Sequence, residues 1–372
     1  MWTRRSLLTL AATAPLARSA PRADIIEIRN ITADENHYHG WPTLARRRNG
    51  ELLVVVSGSR EAHVCPFGRV ELMRSKDDGR TWGFPEVLMD TAIDDRDAGV
   101  CETARGSLLV TTFTSLAYEP ILEKATNWPA ARMQAWRAAH HRLSATQRKE
   151  MLGTWMLRST DGGMTWSAPF RVPVNSPHGA VPVSDGRVLY AGKALWEKGG
   201  RVGVAESTDD GATWRYLADI PTRPGDSVEQ YHELHMVEAA NNKLIAQIRN
   251  HNPQNERETL QSESTDGGKT WSVPRPIGVW GLPTHLLKLR DGRLVMTYGY
   301  RRKPFGNQAR VSTDNGSTWS EPMTISEDGM NGDLGYPSTA ELGNGQLLTV
   351  WYELLNGSLR AQLRQARWKL QG

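Results

Sequence analysis

The chain has 372 residues, of which 39% are hydrophobic and 23% charged, so it can bury a large core and is not wholly disordered. Two cysteines exclude a disulfide-based scaffold, and no stretch reaches about 18 apolar residues, so no membrane span is expected. The formal net charge of +4 includes three arginines within residues 1–19, and without a long basic run nucleic acid is not an expected partner.

The N-terminal segment has the order of features typical of a secretory signal. Arg4 and Arg5 precede a short apolar run and then small residues, and the paired arginines resemble a twin-arginine signal. We therefore predict an export signal over residues 1–19 and a mature protein in the periplasm or outside the cell. An oxidising location permits a disulfide, but nothing in the sequence places Cys65 and Cys101 close together.

An eight-residue motif, Ser-x-Asp-x-Gly-x-Thr-Trp, occurs five times, and we call each copy a boxed turn. Its Asp carboxylate can accept backbone N–H groups, its Gly supplies a positive φ, and its Trp can pack between neighbouring sheets. The five copies span residues 75–82, 159–166, 207–214, 264–271 and 312–319.

A second, weaker repeat is a turn residue followed by an apolar strand. Five of its six copies are followed by a boxed turn, so each unit has four short strands. Units of about fifty residues with four strands are typical of propeller blades, and we predict an all-β fold, a six-bladed β-propeller of four-stranded antiparallel blades forming one domain over residues 24–372. The turns begin at Gly50, Gly106, Gly186, Asn242, Gly292 and Gly345.

Two units differ from this pattern. The sixth has no boxed turn, and we expect its fourth strand to come from residues 25–31, which would close the ring without a free edge. The second unit contains residues 118–151, which are rich in Ala, Arg and Leu at helical spacing. We predict a helical insertion in blade 2, either a packed decoration or a lid over the mouth of the ring.

Polar and ionisable residues recur at a similar distance before the first turn of each unit, where a purely structural strand would be apolar. If these segments lie at the axis, their side chains converge on one pocket. The histidines among them lack the spacing of a metal site, so no metal and no cofactor is predicted. The segments are residues 37–42, 94–97, 176–179, 231–235, 282–285 and 333–337.

The boxed turns and the blade count resemble the sialidase superfamily, whose six-bladed propellers carry these turns as Asp boxes. The resemblance covers nearly all of the chain after residue 19. It implies an exo-acting glycoside hydrolase for an anionic sugar, in which a tyrosine replaces the usual second carboxylate. A glutamate serves as base for that tyrosine, and arginines hold the sugar carboxylate.

The resemblance also assigns roles to individual residues. Tyr336, in Tyr-Pro-Ser at the start of the last unit, corresponds to the nucleophile. Glu233 corresponds to its base. Further matched positions are assigned to substrate binding: Arg249, Arg301 or Arg302, and Glu353.

Two positions depart from the family pattern. Gly40-Trp41-Pro42 stands where an arginine is expected, and residues 59–68 contain no aspartate for the acid/base role. We predict that His63 or Asp95 takes this role, with Asp97, Glu61 and Arg60 as further candidates. Other residues expected to contact substrate are Arg60, Arg96, His39, His178, His235 and His285.

The prediction is therefore an exported, monomeric, sialidase-like hydrolase with a carbohydrate substrate. A polysaccharide lyase is the first alternative, because a histidine and a tyrosine can exchange protons beside a uronate. A non-catalytic glycan-binding propeller is the second, because boxed turns indicate the fold and are nearly silent on function.

Overall fold

The computed structural model describes residues 20–197 and 200–372. Within them the strands form six separate sheets, each of four antiparallel strands, which confirms the predicted propeller. The predicted export signal, residues 1–19, lies outside the described residues. No helix among the described residues is long and apolar enough to cross a membrane.

The strands follow the chain from blade to blade, and within blades 1 to 5 they run from the innermost to the outermost. The first strand, β1, belongs to the last blade. Its bounds and those of blades 1 and 2 are β1 (Arg22–Asn30), β2 (Tyr38–Arg46), β3 (Leu52–Arg60), β4 (Arg69–Ser75), β5 (Glu86–Met89), β6 (Asp94–Glu102), β7 (Leu108–Ser115), β8 (Thr154–Ser159) and β9 (Phe170–Arg171).

Blades 3 to 5 repeat this arrangement, and two 3-10 turns flank the first strand of blade 4. Blade 3 contains β10 (Val181–Pro182), β11 (Val188–Ala194), β12 (Arg201–Ser207) and β13 (Arg215–Asp219). Blade 4 contains β14 (Tyr231–Glu238), β15 (Leu244–Asn250), β16 (Glu258–Ser264) and β17 (Arg275–Trp280). Blade 5 contains β18 (Thr284–Lys288), β19 (Leu294–Tyr300), β20 (Phe305–Ser312) and β21 (Met323–Gly329).

Blade 6 joins the two ends of the described chain. It contains β22 (Leu334–Glu341), β23 (Leu347–Leu354) and β24 (Ala361–Gln371), and β1 pairs with β24 from Arg22 opposite Gln371 to Asn30 opposite Arg364. This confirms the predicted closure. Inner strand β22 contacts β2 as well as β18, so the ring is continuous.

Antiparallel order assigns each loop to one of two faces of the ring. Each inner strand runs toward the face that carries the first hairpin turns and the boxed turns, which we call the lower face. The loops between second and third strands, and the connections between blades, lie at the upper face. Residues at the beginning of the inner strands therefore meet at the upper face around the axis.

The boxed turns have the predicted chemistry. In the fourth copy, Ser264 Oγ accepts the Gly268 N–H at 3.0 Å and Asp266 Oδ1 accepts the Thr270 N–H at 3.0 Å. Gly268 has φ 88°, which glycine adopts without steric cost. The indole of Trp271 donates to the Gly268 carbonyl at 3.0 Å and packs in the core.

The hydrophobic core lies between neighbouring blades. Leu52, Val54 and Val56 of β3 pack in one cluster with Leu348 and Val350 of β23, and all five are fully buried. Burying each such side chain is worth about 1.5–3 kcal/mol. Similar clusters join the other blades, so each blade depends on its neighbours.

The predicted insertion in blade 2 is helical, between β7 and β8. Its helices are α1 (Glu119–Glu123), α2 (Ala130–His140) and α3 (Ala145–Glu150). Trp136 and Tyr118 are fully buried against Cys65 of the blade 1 loop. Cys101 belongs to a different cluster and both cysteines are free, so they form no disulfide.

Candidate active site

Three charged or phenolic groups predicted to act together meet at the upper face. The Tyr336 hydroxyl donates to Glu233 Oε1 at 2.6 Å, and one Arg249 nitrogen donates to Glu233 Oε2 at 2.5 Å and to the Tyr336 hydroxyl at 3.0 Å. Tyr336 comes from blade 6 and the other two from blade 4. We call these three residues the central cluster.

Irregularities in the inner strands aim side chains at this cluster. Register shifts interrupt the pairing of the first two strands at the Tyr336 and Glu233 positions. Corresponding shifts occur around Trp41 in blade 1 and Asp97 in blade 2. Such β-bulges turn a side chain out of the alternating pattern of a regular strand, and here they turn four residues toward the axis.

The charges of the cluster keep Glu233 ionised and Tyr336 protonated. Burial alone would raise the pKa of Glu233, but the Arg249 charge and hydrogen bonds from Tyr336 and Arg249 lower it below its ordinary value. Burial, with the adjacent Glu233 charge, raises the pKa of Tyr336 well above its ordinary value. Glu233 is thus an ionised acceptor placed to take the phenol proton as the phenol reacts.

Two more guanidinium groups, those of Arg301 and Arg96, lie beside aromatic rings at the upper face. Arg301 lies 5.7 Å from the Tyr336 ring centroid, with its Nε donating to the Leu334 carbonyl at 3.1 Å. Arg96 lies 4.4 Å from the centroid of Trp41, the residue that stands where the sialidase pattern has an arginine. Together with Arg249 they give three positive charges from three different blades.

Asp97 is a buried carboxyl next to these groups. It is 6% exposed, its φ is 45°, and its Oδ1 has no hydrogen-bond partner among the described residues. Burial, opposed by the Arg96 charge and reinforced by Glu233, raises its pKa to about 7. The carboxyl can therefore exchange a proton near neutral pH.

A second polar network lies at the mouth. His63 Nδ1 is 2.9 Å from Asp333 Oδ1, and the Tyr38 and Tyr352 hydroxyls each lie 3.0 Å from the same oxygen. The His63 side chain is 47% exposed, and its ring centroid is 5.0 Å from that of Trp41. A carboxylate on Nδ1 fixes the tautomer and leaves Nε2 for proton exchange.

The structure places the other acid/base candidate, Asp95, outside this group. Its carboxylate accepts the Thr91 N–H at 2.7 Å and the Thr91 hydroxyl at 2.8 Å, and burial raises its pKa to about 8. The side chain stabilises the connection that precedes β6. Residues two apart point the same way in a regular strand, and Asp95 and Asp97 differ because the register shift between Arg96 and Gly99 interrupts that alternation.

Four predicted substrate-binding residues are also held elsewhere. Arg60 is fully buried and pairs with Asp94 at 2.7 Å. Glu353 pairs with Arg364 across β23 and β24. His39 Nε2 bonds to the Asp34 carbonyl at 2.9 Å, and exposed Arg302 stacks 3.7 Å from the centroid of Trp280. Each of these side chains has a contact within the protein, and its role in substrate binding stays a prediction.

The three remaining histidines form a layer beneath the cluster. The ring centroids of His178, His235 and His285 lie 4.5–5.4 Å apart, and that of His178 lies 6.3 Å from Tyr336. His178 is the one nearest to Tyr336 in these contacts, and all three line a cavity whose other walls are the lower ends of the inner strands. That these three histidines contact substrate stays a prediction, and their position is below the central cluster.

Sequence reasoning gave no role to several residues of the site. Asp333 was in a polar axial segment, which was the available signal. Tyr38 lies in another such segment, residues 37–42, whereas Tyr352 and His251 carried no comparable signal. His251 Nε2 accepts the Arg249 Nε–H at 2.9 Å. Tyr38 meets Asp333 from a distant part of the chain, whereas His251 contacts a residue two positions away.

Comparison with known proteins supports the architecture. A family model for the BNR repeat-like domain matches residues 125–349. A protein of unknown function from Dyadobacter fermentans is 23% identical, with a TM-score of 0.77 over 95% of this chain and 100% of that one. A Hadza microbial sialidase, Hz136, is 18% identical, with a TM-score of 0.65 over 91% and 68%. NanB sialidase from Streptococcus pneumoniae is 14% identical, with a TM-score of 0.64 over 94% and 70%.

Two curated proteins share part of the sequence. A xyloglucanase of Paenibacillus sp is 31% identical over 176 residues, which are 40% of this chain and 16% of that protein. Xyloglucanase Xgh74A of Acetivibrio thermocellus is 29% identical over 177 residues, 42% of this chain and 20% of that protein. The matches thus span a fifth or less of these relatives.

Proposed function

Because the chain belongs to the family of BNR repeat-like domains, we propose that it is an exported, exo-acting glycoside hydrolase that removes an anionic sugar from the end of a glycan. Tyr336 is the nucleophile and Glu233 its base. The observation that carries this proposal is the 2.6 Å hydrogen bond from the Tyr336 hydroxyl to Glu233, with Arg249 bonded to both.

The first step forms a covalent intermediate. Tyr336 Oη attacks the anomeric carbon while Glu233 takes the phenol proton and the bond to the leaving-group oxygen breaks. Arg249 stabilises the negative charge that develops on Oη, because its N–H lies 3.0 Å from that atom. A neutral phenol approaches an anionic sugar without the repulsion that a second carboxylate would meet.

His63 protonates the leaving group. Asp333 holds its Nδ1 and stabilises the imidazolium, and Nε2 carries the proton that the leaving oxygen receives. In the second step Nε2 accepts a proton from the attacking water, the bond to Oη breaks, and Glu233 returns its proton to the phenolate. Atoms and protons balance over the two steps.

Arg96, Arg249 and Arg301 hold the sugar carboxylate. Guanidinium groups bind carboxylates through paired, charge-assisted hydrogen bonds. Arg96 supplies the third charge from blade 2, since blade 1 has Trp41 at the corresponding position. The names of the curated and structural relatives, xyloglucanase and sialidase, support a carbohydrate substrate.

The test is a product screen with the protein lacking residues 1–19, on sialosides, uronate oligosaccharides and rhamnosides. We expect release of a terminal acidic sugar, and in Tyr336→Phe a loss of turnover on the order of 10³-fold or more with unchanged unfolding. Tyr216→Phe is the matched control, because that hydroxyl bonds Asp219 on an outer strand. Full turnover in Tyr336→Phe contradicts the proposal.

A polysaccharide lyase is the second candidate, favoured by the hydrogen-bonded group of Tyr38, His63, Asp333 and Tyr352. A histidine and a tyrosine at one site can remove and donate the protons of β-elimination. A lyase product absorbs in the ultraviolet because it contains a new double bond, and a hydrolysis product does not. Retained glycan binding with neither product would support a non-catalytic propeller.

A further inference from the structure

A cavity lies on the axis, on the side of the three-histidine layer away from the central cluster. It has a volume of about 490 Å³, and His178, His235 and His285 line it. Its other walls come from the lower ends of the inner strands, so it opens at the lower face. Its volume is within the range of small-molecule pockets, about 300–1,000 Å³.

The histidines present unused hydrogen-bonding groups to this cavity. His235 Nδ1 accepts the Leu286 N–H at 2.8 Å and His285 Nδ1 accepts the Thr339 N–H at 3.4 Å. A neutral imidazole that accepts at Nδ1 carries its proton on Nε2. Burial lowers the pKa of His285 to about 3 and that of His235 well below its ordinary value, so both are neutral and each offers an Nε2–H.

The third histidine has no protein partner at all within the described residues. His178 is 2% exposed, and neither of its ring nitrogens makes a hydrogen bond there. A buried polar group without a partner costs about 1–3 kcal/mol. One imidazole without a partner, beside two that use only Nδ1, is therefore better explained by an external acceptor than by the stability of the ring.

The rim of the cavity is rich in positive charge. Four basic side chains line it against two acidic ones. Arg48 pairs with Glu102 and Arg290 with Glu341, so Arg46 and Lys288 are the excess positive charges of this lining. The Arg46 Nε is buried without a partner among the described residues. The charged lining residues are Arg46, Arg48, Lys288, Arg290, Glu102 and Glu341.

We propose that this lower axial cavity binds a small hydroxylated carboxylate, of the size of an acidic monosaccharide. The neutral N–H donors of the histidine layer meet its hydroxyl or carboxylate oxygens, and the guanidinium groups of the rim balance its charge. Binding here needs no turnover at the upper face, so this proposal stands or falls separately from the hydrolase.

The test is calorimetric titration of the protein lacking residues 1–19 with D-glucuronate, with D-glucose as the uncharged comparison. The variants are His235→Asn and His285→Asn, because an Asn Oδ1 can replace Nδ1 as acceptor of the backbone N–H while the Nε2–H is removed. We expect glucuronate binding to weaken roughly 10-fold in each variant, the loss of one hydrogen bond to a charged group. Arg301→Ala, at the upper face, is the control and should retain this binding.

A second measurement works on the unaltered chain. With ¹⁵N-labelled histidine, glucuronate should shift the imidazole resonances that the His235→Asn and His285→Asn spectra assign to the layer. The proposal is overturned if those resonances do not move, if glucose moves them equally, or if Arg301→Ala alone abolishes binding. An inactive protein that still binds glucuronate in this cavity would reject the hydrolase and leave the cavity proposal intact.

Discussion

Backbone strain occurs where inner strands reach the upper face. Trp41, Asp97 and Tyr336 have φ of 57°, 45° and 52°, in the left-handed region that costs a non-glycine residue on the order of 1–2 kcal/mol. All three lie in the bulges that aim side chains at the axis. The surrounding blades stabilise this conformation. As a result the Trp41 indole, the Asp97 carboxyl and the Tyr336 phenol reach the same site.

Asp97 gives a residue-scale prediction about pH. Its native pKa of about 7 is above its ordinary value of 3.8, so the folded chain binds a proton that the unfolded chain releases. Stability from this group therefore falls as pH rises from about 4 to about 7. Asp97→Asn, which tolerates the same φ, should gain on the order of 2 kcal/mol over the parent at pH 8 and little at pH 4, measured by urea unfolding.

Asp333 is the comparison for this experiment, because its pKa is shifted in the opposite direction from that of Asp97. Burial would raise the pKa of Asp333, but hydrogen bonds and charge from His63 and the tyrosines lower it below 3.8. Its contribution is present above its ordinary pKa and is lost as pH falls. Asp333→Asn should be destabilised at pH 8, with a deficit that shrinks below pH of about 4. Parallel pH curves for Asp97→Asn and the parent would refute the assignment of Asp97.

At the scale of elements, the insertion in blade 2 connects the core to the mouth. Trp136 of α2 is fully buried, and its indole N–H donates to the carboxylate of Glu61. Arg132 pairs with the same carboxylate at 2.6 Å. Glu61 begins the loop that carries His63, so the helices support that loop. This packing corresponds to the decoration considered from the sequence.

Trp136→Ala therefore tests whether the inserted helices support the loop that carries His63. Removing the indole leaves a cavity under the loop, and we expect a loss of about 3–5 kcal/mol in unfolding free energy together with reduced turnover. Trp136→Phe keeps most of the ring volume and should lose about 1–2 kcal/mol. Urea unfolding and a turnover assay on the same preparations give both values. Turnover unchanged in a destabilised Trp136→Ala would show that the loop position does not depend on the helices.

At the scale of the whole molecule, the ring places the two proposed sites at opposite ends of its axis. The inner strands bring the central cluster to the upper face and the histidine layer and basic rim to the lower face. Closure through β1 and β24 keeps both faces aligned, because every blade packs against two neighbours. The boxed turns stay on the lower rim and contribute to the fold.

Removing β1 should break this closure. A chain beginning at residue 31 leaves β24 with an unpaired edge, which favours aggregation. We expect a lower thermal midpoint and concentration-dependent light scattering. A chain beginning at residue 20, which keeps β1, is the control. Equal midpoints for the two chains would mean that ring closure contributes little to stability.

Local chemistry made the fold predictable from the sequence. A boxed turn is complete within eight residues, because its Ser and Asp side chains accept backbone N–H groups of the same turn. Five copies therefore indicated the blades and their number. Six units and an unmatched first strand then indicated closure. The central cluster of Tyr336, Glu233 and Arg249 was predicted through the sialidase resemblance, because each residue occupies a recognisable place at the start or end of a strand.

Only the tertiary structure decided which way the other side chains point. Bulges at the upper face reverse the alternation of a strand, so Asp97 reaches the cluster while Asp95 faces Thr91. Likewise Asp333 meets His63 across 270 positions of sequence, and three histidines at matching blade positions face the lower cavity. Side-chain direction at a bulge depends on the neighbouring blade, and a linear pattern of residue types carries no information about that neighbour.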